Sequence, residues 1–190
     1  MKIIQEVTFH EMLKRFAIGE TYSDFFRSTD GCREEMLRLL KSGDQDQEKT
    51  GIHRVLEGRK PLVECLRQCG AEWHLARLPV NIDEFSAIQT FPDSGWNSHS
   101  RGTQKLIDAA INLRDAPGTD GRVDKIVSAF KRGGVEMQGI TLLGHSVEGP
   151  FTVVEGNGRL VAVYLCCVTE QSSPTCQSDI DVVLGITPNC

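Results

Sequence analysis

The stretch that most restricts how this chain can fold is Phe151, Thr152, Val153, Val154 and Glu155, then Gly156, Asn157, Gly158 and Arg159, then the apolar run 160–168. Four β-branched or aromatic residues ending in an acid predict a strand. Two glycines around an asparagine predict a tight turn, and the run opened by Arg159 predicts a helix. A strand that passes directly into a helix needs both a sheet and a helical layer, so the pattern reads as α/β. Such a turn also aims backbone N–H groups and the positive end of a helix at one point, the arrangement that holds phosphate or another anion.

The flanking chain supplies the rest of the sheet and its helices. Residues 140–143 and 181–184 read as further strands, and the alternation of Trp73, Leu75 and Arg77 against His74, Ala76 and Leu78 predicts another over 72–78. Helical spacing predicts helices over about 9–18, capped by Thr8, about 32–41 and about 61–68, and apolar faces predict two more, one carrying Leu106 to Leu113 after a cap at Ser100 or Thr103 and one over 123–130. Residues 82–88 suggest one helical turn or a short helix. Residues 44–50 carry no apolar face and read as an exposed loop, as do the turn formers of 91–100 and the polar connection 170–178. At 190 residues the chain is long enough for one well-buried core and short for two independent ones. The expected organisation is a helical N-terminal extension, 1–70, packed on an α/β core, 71–190, with a small mixed sheet.

Composition excludes several functions. A formal net charge of -5 disfavours a nucleic-acid binder that works by neutralising many phosphates. No stretch approaches the roughly 20 apolar residues needed to cross a bilayer, and the N-terminus turns polar too soon for a signal peptide, so the expected location is the cytoplasm with no membrane partner. The 7 cysteines form no paired CxxC units. Cys166 and Cys167 are expected to be small buried hydrophobes, and Cys65 and Cys69 lack the histidines that would complete a zinc set.

The central motif has a definite chemistry. Gly156 and Gly158 permit positive φ and close backbone approach, Asn157 tolerates left-handed geometry, and Arg159 has the fork that fits phosphate oxygens. Glu155, at the carboxyl end of its strand, has the chemistry to hold magnesium, accept a hydroxyl proton or bond a ribose. The same residues also suit a glycine turn whose acid and arginine merely pair with each other.

These residues resemble the turn of the ParB and sulfiredoxin superfamily, which includes nucleotide-binding partition proteins, sulfinic acid reductases and free serine kinases. Its members place a Gly-x-x-Arg-like turn, often preceded by an acid, between a strand and a helix, where it receives nucleotide phosphates. The resemblance covers roughly the last third of the chain, from the strand at 140–143 to that at 181–184. It implies ATP or another nucleotide with Mg2+, bound at Gly156, Asn157, Gly158 and Arg159, with Glu155 as the catalytic acid or base and metal carboxylate. It further implies a small-molecule acceptor and either phosphoryl transfer or nucleotide hydrolysis. Asn157 stands where sulfiredoxin has its reactive cysteine, which removes sulfinic acid chemistry, and Gly158 stands where many members have a phosphate-contacting histidine. What survives is the backbone cradle, which a non-catalytic nucleotide sensor or interaction module would share.

A second resemblance, in letters more than in context, is to the Fic adenylyltransferase loop, through Pro150, Phe151 and the run 155–159. Gly149 stands at the position of the Fic catalytic histidine, and the predicted strand replaces a helix. Around the motif, His145 is a candidate for the same pocket. Ser100, Arg101 and Thr103 are candidates for a second anion site, although helix capping explains the serine and threonine equally well. Gly51, Ile52, His53 and Arg54 resemble a phosphate turn but follow a charged segment.

Overall fold

The alternation over 72–78 does become a strand, and the sheet grows outward from it. The computed structural model of the chain describes residues 1–23, 26, 33–170 and 176–187. Strand β1 (Lys2–Glu6) is followed by helices α1 (Phe9–Glu20), α2 (Arg33–Leu40) and α3 (Gln45–Val55), a 3-10 turn (Glu57–Arg59) and α4 (Lys60–Gln68). Then come β2 (Glu72–Pro79), α5 (Ile82–Ser86), β3 (Ile88–Gln89), α6 (Ser94–His99), α7 (Leu106–Asp115) and α8 (Gly121–Lys131). The chain closes with β4 (Thr141–Gly144), β5 (Phe151–Glu155), α9 (Asn157–Val163), which runs on as a π-helical turn (Tyr164–Thr169), and β6 (Asp179–Ile186). The six strands form one mixed sheet in the order β1-β2-β6-β4-β5-β3. Its β6/β4 and β5/β3 pairs are parallel and the other three antiparallel.

Both faces of the sheet are covered. Successive strand side chains point to opposite faces, so Val153 and Val182 enter one core while Val154 and Val183 enter the other. On the first face Phe151 and Leu78 pack with Leu160, Leu106 and Phe130 from the C-terminal helices. On the second, Trp73 meets Met12 and Phe16 of α1, Met36 of α2 and Ile52 of α3. The fold is a mixed α/β sheet between two helical layers, and the N-terminal helices supply one of them.

Four local expectations change. The first residues are not helical: Lys2–Glu6 adds an edge strand, paired with β2. Residues 44–50 are not a loop but the start of α3, because Asp44 caps it by accepting from Asp46 N (3.1 Å) and Gln47 N (2.9 Å). Its hidden side holds Glu48, which hydrogen-bonds His10 (3.0 Å) and Lys14 (3.2 Å), so a charged residue does the work of an apolar one there. Within 91–100 the turn formers make a short helix: Asp93 accepts from Trp96 N at 2.7 Å and starts α6. Finally, Cys167 is not a buried hydrophobe. Neighbouring helix positions point in different directions, so Cys166 faces the core as a free thiol while Cys167 is disulfide-bonded to Cys176. Cys32, Cys190 and most of the 170–178 connection lie outside the described residues. Among the described residues no helix is long and apolar enough to cross a membrane.

Candidate functional site

Strand β5 passes into a helix as the sequence predicts, but the turn is shorter than expected: only Gly156 is left-handed, and Asn157 and Gly158 already belong to α9. Gly156 sits at φ 102°, a left-handed backbone that glycine adopts without strain. A Cβ there would come within 2.9 Å of Ile140 Cγ1, so the position is closed to side chains on steric grounds as well. Gly156 is the N-cap of α9 and carries no capping side chain; its carbonyl accepts from Leu160 N at 2.9 Å. The first N–H groups of a helix have no partner within it, and here they belong to Asn157, Gly158 and Arg159, which line a cleft of about 470 Å³. The cleft lies at the carboxyl end of β5.

All three polar motif side chains, Glu155, Asn157 and Arg159, are engaged by the protein itself. Asn157 Oδ1 accepts from Phe91 N at 3.2 Å and ties the turn to the start of the segment that carries α6. Arg159 is almost fully buried and donates to the carbonyls of Glu136 (3.3 Å) and Gln138 and to Glu155 Oε1 (3.1 Å). Its guanidinium therefore fastens the loop 133–139 onto the turn. Gly139 seats that loop against α1, with backbone atoms Arg15 O and Gly19 N where a side chain would start. Gly158 faces Ile126 of α8.

The opposite wall was not foreseen. Glu20, at the end of α1, is fully buried, and its Oε1 accepts from Ser23 Oγ (2.9 Å) and from Arg59 Nη2 (3.1 Å). Its Oε2 is buried without a hydrogen-bond partner among the described residues. Burial pushes the Glu155 carboxyl above the ordinary carboxylate range; Arg159 pulls it down, Glu20 adds to the rise and Arg59 opposes it. Arg59, Arg159 and Glu155 line this corner of the cleft, and the fully buried Glu20 holds Arg59 there without lining it.

The remaining wall is helix α8. Arg122, Lys125, Ala129 and Arg132 repeat at helical spacing and all line the cleft. With Arg59 and Arg159 they make five cationic side chains, of which Arg59, Arg122 and Arg159 are paired with Glu20, Asp120 and Glu155, while Lys125 and Arg132 make no ion pair among the described residues. Asp120 caps α8, accepting from Arg122 N at 2.9 Å, and the Arg122 side chain holds its carboxyl down at about 2. Trp96 of α6 completes the lining.

The other predicted residues lie elsewhere. β4 and β5 are antiparallel, with Thr141 opposite Glu155 and Gly144 opposite Phe151, so His145 follows the far end of the sheet. There its Nδ1 donates to Thr187 O at 3.0 Å. Ser100 is buried, accepting from Gln104 N (3.0 Å), and Thr103 Oγ1 bonds Asp108 Oδ2 (2.6 Å); with Arg101 they build the turn into α7, whose N-cap is Lys105 rather than Ser100 or Thr103. Neither His145 nor that turn lines the cleft. Gly51 to Arg54 form the interior of α3. The residues missed by sequence reasoning are Glu20, Arg59, Trp96, Arg122, Lys125 and Arg132, of which the α8 stripe is visible in the periodicity of its basic residues.

The site is a cleft with cationic side chains on its walls, built on a glycine turn at the carboxyl end of a strand. Set against family models, curated proteins and solved structures, the chain matches none of them.

Proposed function

We propose that the cleft binds a nucleotide, with its phosphates on the N–H groups of Asn157, Gly158 and Arg159, and that the protein uses it for phosphoryl transfer to a small acceptor or for nucleotide hydrolysis, as the ParB and sulfiredoxin resemblance implies. The observation that carries this is the uncapped helix start opening onto a cleft with Arg59, Arg122, Lys125 and Arg132 on its walls. Glu155 fits the role of acid or base, because a carboxyl raised by burial can exchange a proton closer to neutral pH. Among the described residues no three His, Cys, Asp or Glu side chains meet to hold a metal. Magnesium commonly rests on substrate phosphates and one or two carboxylates, and Glu155 supplies one. When bound, that ion would neutralise phosphate charge.

A nucleotide user of this kind belongs in the cytoplasm, where the Cys167–Cys176 bond would be exposed to reduction by the thiol pool. Calorimetric titration with ATP, CTP and GTP in the presence of Mg2+ is expected to show one of them binding, with phosphate or phosphorylated acceptor released on longer incubation. Absence of binding by all three would refute the reading. A second reading, a nucleotide sensor without turnover, is favoured by the engagement of Asn157 and Arg159 with the protein backbone. It predicts that bound nucleotide is recovered unchanged with every hydroxylated acceptor tried.

A further inference from the structure

Trp96 and the basic stripe of α8 are held in a fixed relation to each other. Asp93 fixes the start of α6 through Trp96 N, and the Trp96 ring meets the His99 ring edge-on, with centroids 5.5 Å apart. His99 Nε2 lies 3.3 Å from Asp120 Oδ2, and Asp120 is the cap of α8. A continuous line of contacts therefore sets an aromatic surface against a row of cations. Lys125 and Arg132 are exposed, line the cleft and make no ion pair among the described residues. Their charges are open to a ligand, whereas the Arg122 guanidinium is already held by Asp120 at 2.7 Å.

An aromatic side chain stacks any nucleobase on its face, and a lysine or arginine set beyond the first phosphate adds affinity for each further one. On the nucleotide reading of the cleft above, we infer that the base stacks on Trp96 while Lys125 and Arg132 hold the outer phosphates, so that the site selects nucleoside di- and triphosphates over monophosphates. The glycine turn then takes the inner phosphate, and discrimination by phosphate number comes from α8 rather than from the motif.

The chain has two tryptophans, and Trp73 is buried in the core on the sheet face lined by the N-terminal helices, so Trp96 emission reports the cleft directly. ATP is expected to quench that emission, and the quenching disappears in Trp96→Phe, which keeps affinity because it keeps an aromatic face. Trp96→Ala should weaken ATP by about tenfold or more, while inorganic tripolyphosphate binds without quenching and is unaffected by the change. The Lys125→Ala, Arg132→Ala double variant should lose about tenfold or more for ATP and less than about twofold for AMP. Should ATP bind by calorimetry with unchanged Trp96 emission and unchanged affinity in Trp96→Ala, this placement of the base is wrong and nucleotide binding stands. Equal losses for ATP and AMP in the double variant would overturn the placement of the outer phosphates. If no nucleotide binds the native chain at all, the reading of the cleft falls, and this inference with it.

Discussion

Arg159 illustrates how one residue serves structure and site together. Its donors reach two loop carbonyls and Glu155 from a nearly sealed position, so Lys, with one compact ammonium, cannot replace the fork. Arg159→Lys should cost about 2–3 kcal/mol and Arg159→Ala about 3–5 kcal/mol, measured by urea unfolding; a loss of a few tenths would show the network to be idle. Asp120 gives a pH test. Its folded carboxyl titrates near 2, below its ordinary value of 3.8. A depressed acid contributes stability above its unfolded pKa and loses it as pH falls through the folded one. The stability gap between the native chain and Asp120→Asn should therefore be full at pH 6 and close as pH falls from about 4 to about 2. A gap that does not change with pH would show that the Asp120 charge contributes nothing to stability.

At the scale of elements, the loop 133–139 is the wall most sensitive to small changes. Gly139 combines φ 82° with backbone of α1 on the side where a Cβ would stand. Backbone cannot swing away as a side chain can. Gly139→Ala should destabilise by more than about 2 kcal/mol and lift the loop from Arg159, seen as a lower melting temperature and faster amide exchange at Gln138 and Ile140. Unchanged melting would contradict the close seat of the loop on α1. The elements around the motif were legible because their signals are local: β5, the turn and α9 follow from adjacent letters, Thr8 marks the start of α1, and Pro61 and Gly70 bound α4. α3 was not, because Glu48 occupies its buried side and is made tolerable by His10 and Lys14, some 35 residues away in sequence. β1 was lost for a similar reason: its five residues are exposed at a sheet edge and show no burial alternation.

Across the whole molecule, the cleft exists only because distant parts of the chain meet at the end of β5. Glu20 and Arg59 come from the N-terminal layer, Trp96 and α8 from the other, and the turn from between them. That explains why the motif could be named from sequence and the meeting of its walls could not, and why His145, close in sequence, ends at the opposite end of the strands. The Cys167–Cys176 link closes a short loop before β6. By chain entropy it should add about 2–3 kcal/mol to the oxidised protein, so thiol reductant should lower the melting temperature without dissolving the fold. No change on reduction would mean that the bond does not form in solution.

The central claim is that phosphate lies on the backbone of the glycine turn. The most direct check is the 15N amide spectrum of the chain titrated with ATP and Mg2+. The amides of Asn157, Gly158 and Arg159 are expected to move first and furthest, with Arg122 and Lys125 following. Saturation with those three amides unmoved, whether other regions shift or none do, would contradict the account.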